Sequence, residues 1–258
     1  MPGGRPVKET VVKASKILRI LRVPAWRRAL LGQRVAAGVE HAGALRALPM
    51  LRTIVDVGAN RGQFSLAARH FFPEAEITAF EPLAGPATTW RVVFADDARA
   101  SLVGVALGPV SGDALLNVSG RDDSSSLLPI TAEQEELFPG TAQVGTEAVR
   151  VARLVDHLPV AEIQVPALLK IDVQGFELQV LAGCEDVLSR FDLVYAECSF
   201  IELYEGQALA DEVIAWLRHR GFLLRGIYHV VYDAGRAVQG DFLFARKATI
   251  PDSVAFGR

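Results

Sequence analysis

The chain has 258 residues, half of them hydrophobic, with 27 Lys and Arg against 30 Asp and Glu and a net charge of −3. That is enough apolar material for one sizeable α/β domain with an appendage. Its two cysteines, Cys184 and Cys198, argue against a disulfide framework or a cysteine-held metal and for a reducing, cytoplasmic compartment. No apolar run reaches the roughly 18–20 residues of a membrane-crossing helix, and the N-terminus lacks the pattern of a signal peptide.

The charge is uneven: residues 1–34 carry +8 and the remainder −11. Val7, Val11, Ala14, Leu18 and Leu21 recur at helical spacing and predict an amphipathic helix over 8–22, ended or kinked by Pro24. A second helical stretch is expected over 26–48. This basic cap is read as packing on the acidic body, with docking of an anionic partner such as a membrane face as the sharper alternative. The expected organisation is a helical cap over 1–50, a catalytic domain over 51–248 and a short tail over 249–258.

Thr53-Ile-Val-Asp-Val57 predicts a buried strand interrupted by Asp56, followed by the turn Gly58-Ala59-Asn60-Arg61-Gly62. Phe64, Leu66, Ala67 and Phe71 then continue at helical spacing, and a second strand ends at Glu81, with Pro82 after it. Strand, Gly-rich turn, helix, strand and acid make half of a nucleotide-binding βαβ unit. Asn60 stands where a dinucleotide fingerprint has its middle glycine, the residue that admits a pyrophosphate. Asp56 and Glu81 fit S-adenosylmethionine better: one acid for its ammonium, the other for its ribose hydroxyls, with no phosphate to repel.

A helix is expected over 84–95 and a third strand over 101–108. Asp113–Val118 alternates weakly, as a short hairpin strand does. Residues 120–146 are polar and include Ser124, Ser125 and Ser126, a stretch read as a lid or substrate loop. Glu147–Val151 and Ala167–Val173 read as strands, with Gly175 opening a helix after the second. Asp192–Glu197 is a further buried strand, a helix spans about 207–220, and strands at Phe222–Val231 and Asp241–Arg246 flank the turn Asp233-Ala-Gly235. Strands alternating with helices predict a parallel sheet, the final hairpin adding an antiparallel strand.

Lys170-Ile-Asp-Val-Gln-Gly-Phe-Glu, set beside Asp56-Val-Gly-Ala-Asn-Arg-Gly62, resembles the FkbM family of S-adenosylmethionine-dependent methyltransferases. The resemblance continues through Glu197-Cys-Ser-Phe, Leu203-Tyr-Glu-Gly-Gln207 and Gly240-Asp-Phe-Leu-Phe244, and spans roughly 40–246. It implies a Rossmann-like class I methyltransferase fold, a seven-stranded, mostly parallel sheet with an antiparallel last strand. It also implies methyl transfer to a hydroxyl on a sugar, glycan, lipid or polyketide-type acceptor. Carried over by position, Asp56, Gly58, Asn60 and Gly62 line the methionine end, with Phe64 beneath or beside it. Glu81 holds the ribose, Pro82 and Ala106 border adenine, and Asp172 faces the transferred methyl. Many relatives carry Glu where this chain has Gln174.

Methyl transfer to a hydroxyl needs alignment and a proton acceptor. Asp172 is the first candidate base or orienting group and Glu197 the second, both at strand ends expected to open on one crevice. Ser125, Ser126 and His229 are candidate acceptor contacts, while His41, His70, His157 and His219 read as surface or helix positions. Glu177 reads as a cap for backbone donors. A resident metal is not expected, although Asp172 and Glu197 together offer an alternative Mg²⁺ seat. A dehydrogenase lacks its middle glycine here, nucleic-acid methylation lacks its Pro-Pro-aromatic block, and a non-catalytic pocket recruiting an anionic partner is the remaining alternative.

Overall fold

A computed structural model describes residues 16–247. The cap comprises a helical segment at 16–22 (α1), α2 at Pro24–Gln33, a 3-10 turn at Val39–His41 and α3 at Ala42–Arg46. Ile20, Trp26 and Ala29 bury on the body, and the Trp26 indole donates to the Leu66 carbonyl at 2.9 Å. Pro24 starts α2, in the first turn where its missing N–H has no helical partner to lose. Residues 8–15 of the expected first helix, and the expected tail, lie outside the described residues.

The expected unbroken helix over 26–48 does not form. Arg34 adopts φ 58°, a left-handed cap to α2. The chain then crosses the body, where the Gly38 N–H donates to the Gln63 carbonyl at 2.8 Å. A Cβ on Gly38 would lie 2.8 Å from the His41 ring, so a side chain at this crossing would push that ring aside. A tertiary contact outweighs helix propensity here.

The body is a seven-stranded sheet, β1 (Thr53–Val57), β2 (Glu76–Phe80), β3 (Ala100–Val103), β7 (Ala167–Ile171), β8 (Leu193–Ser199), β9 (Phe222–Asp233) and β10 (Arg236–Arg246), in the order β3-β2-β1-β7-β8-β10-β9. The pairs from β3 to β8 are parallel, and β10 is antiparallel to both neighbours. This is the seven-stranded, mostly parallel sheet with one antiparallel strand that the resemblance implies. Helices α4 (Gln63–Phe71), α5 (Ala84–Val93), α7 (Glu177–Gly183) and α8 (Ala210–His219) join these strands. Every residue of β1 and β7 is buried, as a parallel sheet covered on both faces requires. One face packs Val55, Val57, Leu169, Ile171, Val194 and Phe242; the other packs Ile54, Phe64, Leu168, Tyr195 and Leu243.

A second sheet stands beside the first, in the order β4 (Ala106–Leu107), β6 (Gln143–Ala152), β5 (Gly112–Ser119). The polar stretch 120–146 is more ordered than its composition suggests. It holds a 3-10 turn at Asp122–Ser124, helix α6 at Ala132–Leu137 capped by Thr131, and the first residues of β6. Strand β6 starts well before Glu147 because β5 supplies its partners as far as Ser119–Gln143.

Candidate active site

A cleft opens at the carboxyl ends of β1, β2 and β7, where the order of strands reverses direction from β1. Its floor is the β1–α4 turn. The Gly58 and Ala59 N–H groups both donate to the Phe80 carbonyl at 3.0 Å, which fastens the turn to the end of β2. Asn60 takes φ 45° and donates its N–H to Glu81 Oε2 at 2.9 Å, while Leu83 N–H donates to Oε1 at 2.8 Å. Glu81 is thereby aimed into the cleft. Burial pushes its carboxyl up to about 7, against the lowering pull of those two donors and of Lys170.

The glycines act differently from the expectation that they line a ligand. A Cβ on Gly58 would lie 1.8 Å from the Asp172 carbonyl oxygen, so its missing side chain lets the ends of β1 and β7 meet. Gly58 still borders the cleft through its backbone, but Gly62 does not. Gly62 has φ 95° and precedes α4, and a Cβ on it would lie 2.8 Å from the Phe94 ring and 2.9 Å from the Trp90 ring.

Asp56 is the larger correction. It is fully buried and does not line the cleft. Its Oδ1 sits 3.1 Å from Lys170 Nζ, and its Oδ2 accepts from Ser65 at 2.6 Å. A carboxylate on an inner strand position, with a lysine on the neighbouring strand in direct register, pairs inward. Lys170 also donates to the Gly58 carbonyl at 3.2 Å, lies 3.8 Å from Asp172 Oδ2 and sits over the Phe64 ring. Burial alone would lower the Lys170 ammonium; Asp56 and Asp172 outweigh it and hold it above its ordinary value. Phe64 thus borders both the lysine and the cleft.

Asp172 lines the cleft with a third of its side chain exposed. Glu197 does not line it. Between them lies Gln174, at φ 56°, whose amide donates to Asp172 Oδ1 and to Glu197 Oε2, each at 2.8 Å. Gln239 donates to the other Glu197 oxygen at 2.8 Å, and burial with the Asp172 and Asp241 carboxylates pushes Glu197 well up. Glu197 is therefore braced behind Gln174, off the cleft, rather than a group facing the acceptor. The Gln174 amide thus bridges the two carboxylates that offered the alternative Mg²⁺ seat. Among the described residues no group of three or more His, Cys, Asp or Glu is arranged to hold a metal ion.

Ser125 and Ser126 both reach the cleft, but each hydroxyl is engaged: Ser125 accepts from Ser119 N–H at 3.1 Å, and Ser126 donates to the Gln174 carbonyl at 2.6 Å. Pro82 and Ala106 line an apolar side with Leu83, Val105 and Leu107. His229 is more than half exposed, at φ 44°, 4.0 Å from Asp241, and the structure does not bring it to the cleft. Glu177 accepts from Val173 and Gly175 N–H groups at 3.1 Å, the capping task its position implied. Burial, before all else, pushes its carboxyl up to about 7.

The residues missed in the sequence are Lys170, His41, Tyr195 and Asp241. Lys170 carried a signal, a charge amid Leu168, Leu169 and Ile171, the same kind that marked Asp56. His41 carried none. It lies in the cap, yet it lines the cleft, and its Nδ1 is 3.2 Å from Tyr195 Oη and 3.3 Å from Asp241 Oδ2.

A model of the methyltransferase FkbM domain matches residues 56–224. The chain belongs to the FkbM methyltransferase family. Methyltransferase sdnD of Sordaria araneosa is 27% identical over 208 residues, covering 71% of this chain and 78% of that protein. The 2-O-methyltransferase NoeI of Sinorhizobium fredii (strain NBRC 101917 / NGR234) is 27% identical over 196 residues, covering 74% and 77%. The 31-O-demethyl-FK506 methyltransferase FkbM of Streptomyces tacrolimicus is 31% identical over 194 residues, covering 66% and 72%. This FkbM-family enzyme is thus a methyltransferase, and two of its site residues, His41 and Asp241, fall outside the matched span.

Proposed function

We propose that this methyltransferase moves the methyl group of S-adenosylmethionine to a hydroxyl of a sugar, glycan, lipid or polyketide-type small molecule. The observation that carries the reading is Glu81. Each of its oxygens accepts one backbone N–H, so each keeps a lone pair for a ribose hydroxyl. The Pro82–Leu83 and Val105–Leu107 side offers an apolar wall for a purine, and the Lys170–Asp172 side a polar end for the methionine portion.

Charge points the same way. The lining carries five carboxylates, Glu40, Glu81, Asp122, Asp123 and Asp172, against one lysine. Three are paired outward with Lys16, Arg61 and Arg121. Glu81 and Asp172 remain facing inward beside a lysine that Asp56 already shares. Such a wall suits a sulfonium and repels a pyrophosphate. The bound donor supplies an activated methyl; the protein's part is to hold it, exclude water and align the acceptor. Two relatives named for methylation at oxygen support an oxygen acceptor. Ser125 and Ser126 at the cleft support a substrate-loop role for 120–146. The cap over 1–50, a transferase domain over 51–248 and a cytoplasmic setting complete the reading.

Calorimetric titration with S-adenosylhomocysteine, with NAD⁺ as control and with and without Mg²⁺, tests it. The homocysteine ligand binds and NAD⁺ does not. Glu81→Ala weakens binding by about 10- to 100-fold for each hydroxyl bond lost, from roughly 1.5–3 kcal/mol apiece, without loss of the folded signal. A folded wild type that ignores the homocysteine ligand overturns the reading.

A further inference from the structure

We propose that His41 is the general base of this enzyme, accepting the acceptor's hydroxyl proton on Nε2, with Asp241 and Tyr195 as the residues that position it. The inference rests on the methyl-transfer reading above and adds the group that receives the proton.

Geometry sets the tautomer. Asp241 Oδ2 lies 3.0 Å from Tyr195 Oη and 3.3 Å from His41 Nδ1. A carboxylate only accepts, so the phenol donates its one proton to Asp241, and its oxygen, 3.2 Å from His41 Nδ1, is left to accept from an Nδ1–H beside the same carboxylate. Burial, and then the Asp241 charge, push the Tyr195 phenol far up, which keeps it a donor. With Nδ1 protonated, the neutral ring has its lone pair on Nε2. Nε2 makes no hydrogen bond among the described residues, and the ring borders the cleft. Phe64 and Tyr195 hold the ring edge-on, with centroids 5.2 and 5.7 Å away. A carboxylate and a phenol behind Nδ1, on a ring that borders the cleft and whose Nε2 has no hydrogen-bond partner among the described residues, make the arrangement of an oriented base.

Asp172 is less suited to the task. Its Oδ1 accepts from Gln174, and its Oδ2 faces Lys170. Glu197 is braced on both oxygens and lies off the cleft. The charged and titratable groups around His41 are Asp241 from β10, Tyr195 from β8 and Lys170 from β7 across the Phe64 ring. Tyr228 and His229 on β9 and the Glu40–Lys16 pair in the cap complete the set.

The step balances. The acceptor oxygen's lone pair bonds the methyl carbon as the carbon–sulfur bond breaks with its electrons to sulfur, giving S-adenosylhomocysteine. The hydroxyl proton passes to Nε2, and the imidazolium formed is held by Asp241 until it loses the proton to water.

The first test needs no acceptor. Histidine labelled with ¹⁵N, with His41 assigned by comparison with His41→Gln, reports the tautomer by long-range NMR correlation. Nδ1–H with a bare Nε2 is expected, with Nε2 moving on addition of S-adenosylhomocysteine and the tautomer preference lost in Asp241→Asn. An Nε2–H tautomer, or an Nε2 indifferent to the ligand, overturns the inference. The second test uses the hydroxylated acceptor that gives turnover. His41→Gln and His41→Asn lower kcat by about 10²–10⁴-fold, keep wild-type affinity for S-adenosylhomocysteine, and lose the acid limb of the pH–rate profile. Unchanged kcat and pH profile in either folded variant overturn the base while leaving methyl transfer standing. A wild type that binds no S-adenosylhomocysteine removes the methyl-transfer reading itself.

Discussion

The two ends of the cleft are built in opposite ways. At the Glu81 end a single βαβ unit does everything: the turn, the acid and the donors that aim it come from residues 58–83, with the longest of these links spanning 22 positions. At the His41 end, four strands and the cap each contribute one or two groups, and the links span up to 200 positions. The local end can be assembled by one piece of chain. The distributed end exists only when β1, β7, β8, β10 and the cap are all in place, so it reports on the whole fold.

The sharpest way to break that contrast is Lys170→Met. It leaves Asp56 charged and unpaired in a fully buried position, and removal of one partner from such a pair costs about 3–5 kcal/mol. Urea unfolding will show that loss, and most of it will return in the double variant Asp56→Leu/Lys170→Met, which buries no charge. A single variant as stable as wild type means the Asp56–Lys170 pair is hydrated rather than buried.

Next in size is Glu177→Gln. The carboxyl is raised from 4.5 to about 7 in the folded state. Its contribution to stability is therefore present below pH 4.5 and lost as pH rises through about 7. Glutamine keeps the acceptor for Val173 and Gly175 and never ionises. The variant matches wild type near pH 4 and gains up to about 3 kcal/mol at pH 8, read from denaturant midpoints at the two pH values.

Glu81 sets the opposite trend for the ligand. Its carboxyl is also raised to about 7, and ribose hydroxyls need the ionised form. Affinity for S-adenosylhomocysteine should fall about tenfold from pH 7.5 to pH 6, and calorimetry at the two pH values checks it. A flat response would mean that the two backbone donors hold Glu81 ionised throughout. The smallest effect is expected from Arg61→Ala. Its bond to Asp122, 3.0 Å from Nε, ties the Asp122–Ser124 turn to the β1–α4 turn, but both side chains are partly exposed. Thermal unfolding should register less than about 1 kcal/mol.

The same contrast explains what could be read from the sequence. Period and turn chemistry found the strands of the large sheet and its antiparallel finish, because those signals are local, although the stretch expected as one strand over 101–108 divides into β3 at Ala100–Val103 and β4 at Ala106–Leu107 of the second sheet. They also placed Glu81 and Glu177. They misplaced Asp56, because a strand residue's partner is chosen by the neighbouring strand's register, and Lys170 lies 114 positions away. They missed the break at Arg34 and Gly38, where a hydrogen bond to α4 outweighs helix propensity. His41 was unreadable for the same reason: its meaning comes from Asp241, 200 positions later. His229 was overvalued, because a strand histidine's direction depends on the irregular β9–β10 register, which leaves it facing solvent.

The antiparallel strand β10 has a consequence for synthesis. It emerges last among the described strands yet takes an interior place, between β8 and β9. While the ribosome is still upstream of Arg236, β8 is a raw edge and β9 has no neighbour in the sheet. A nascent chain halted there carries the complete ribose end but neither a closed sheet nor Asp241. A chain cut before Arg236 would thus leave β8 and β9 without the strand that joins them, an exposed edge open to pairing with other chains.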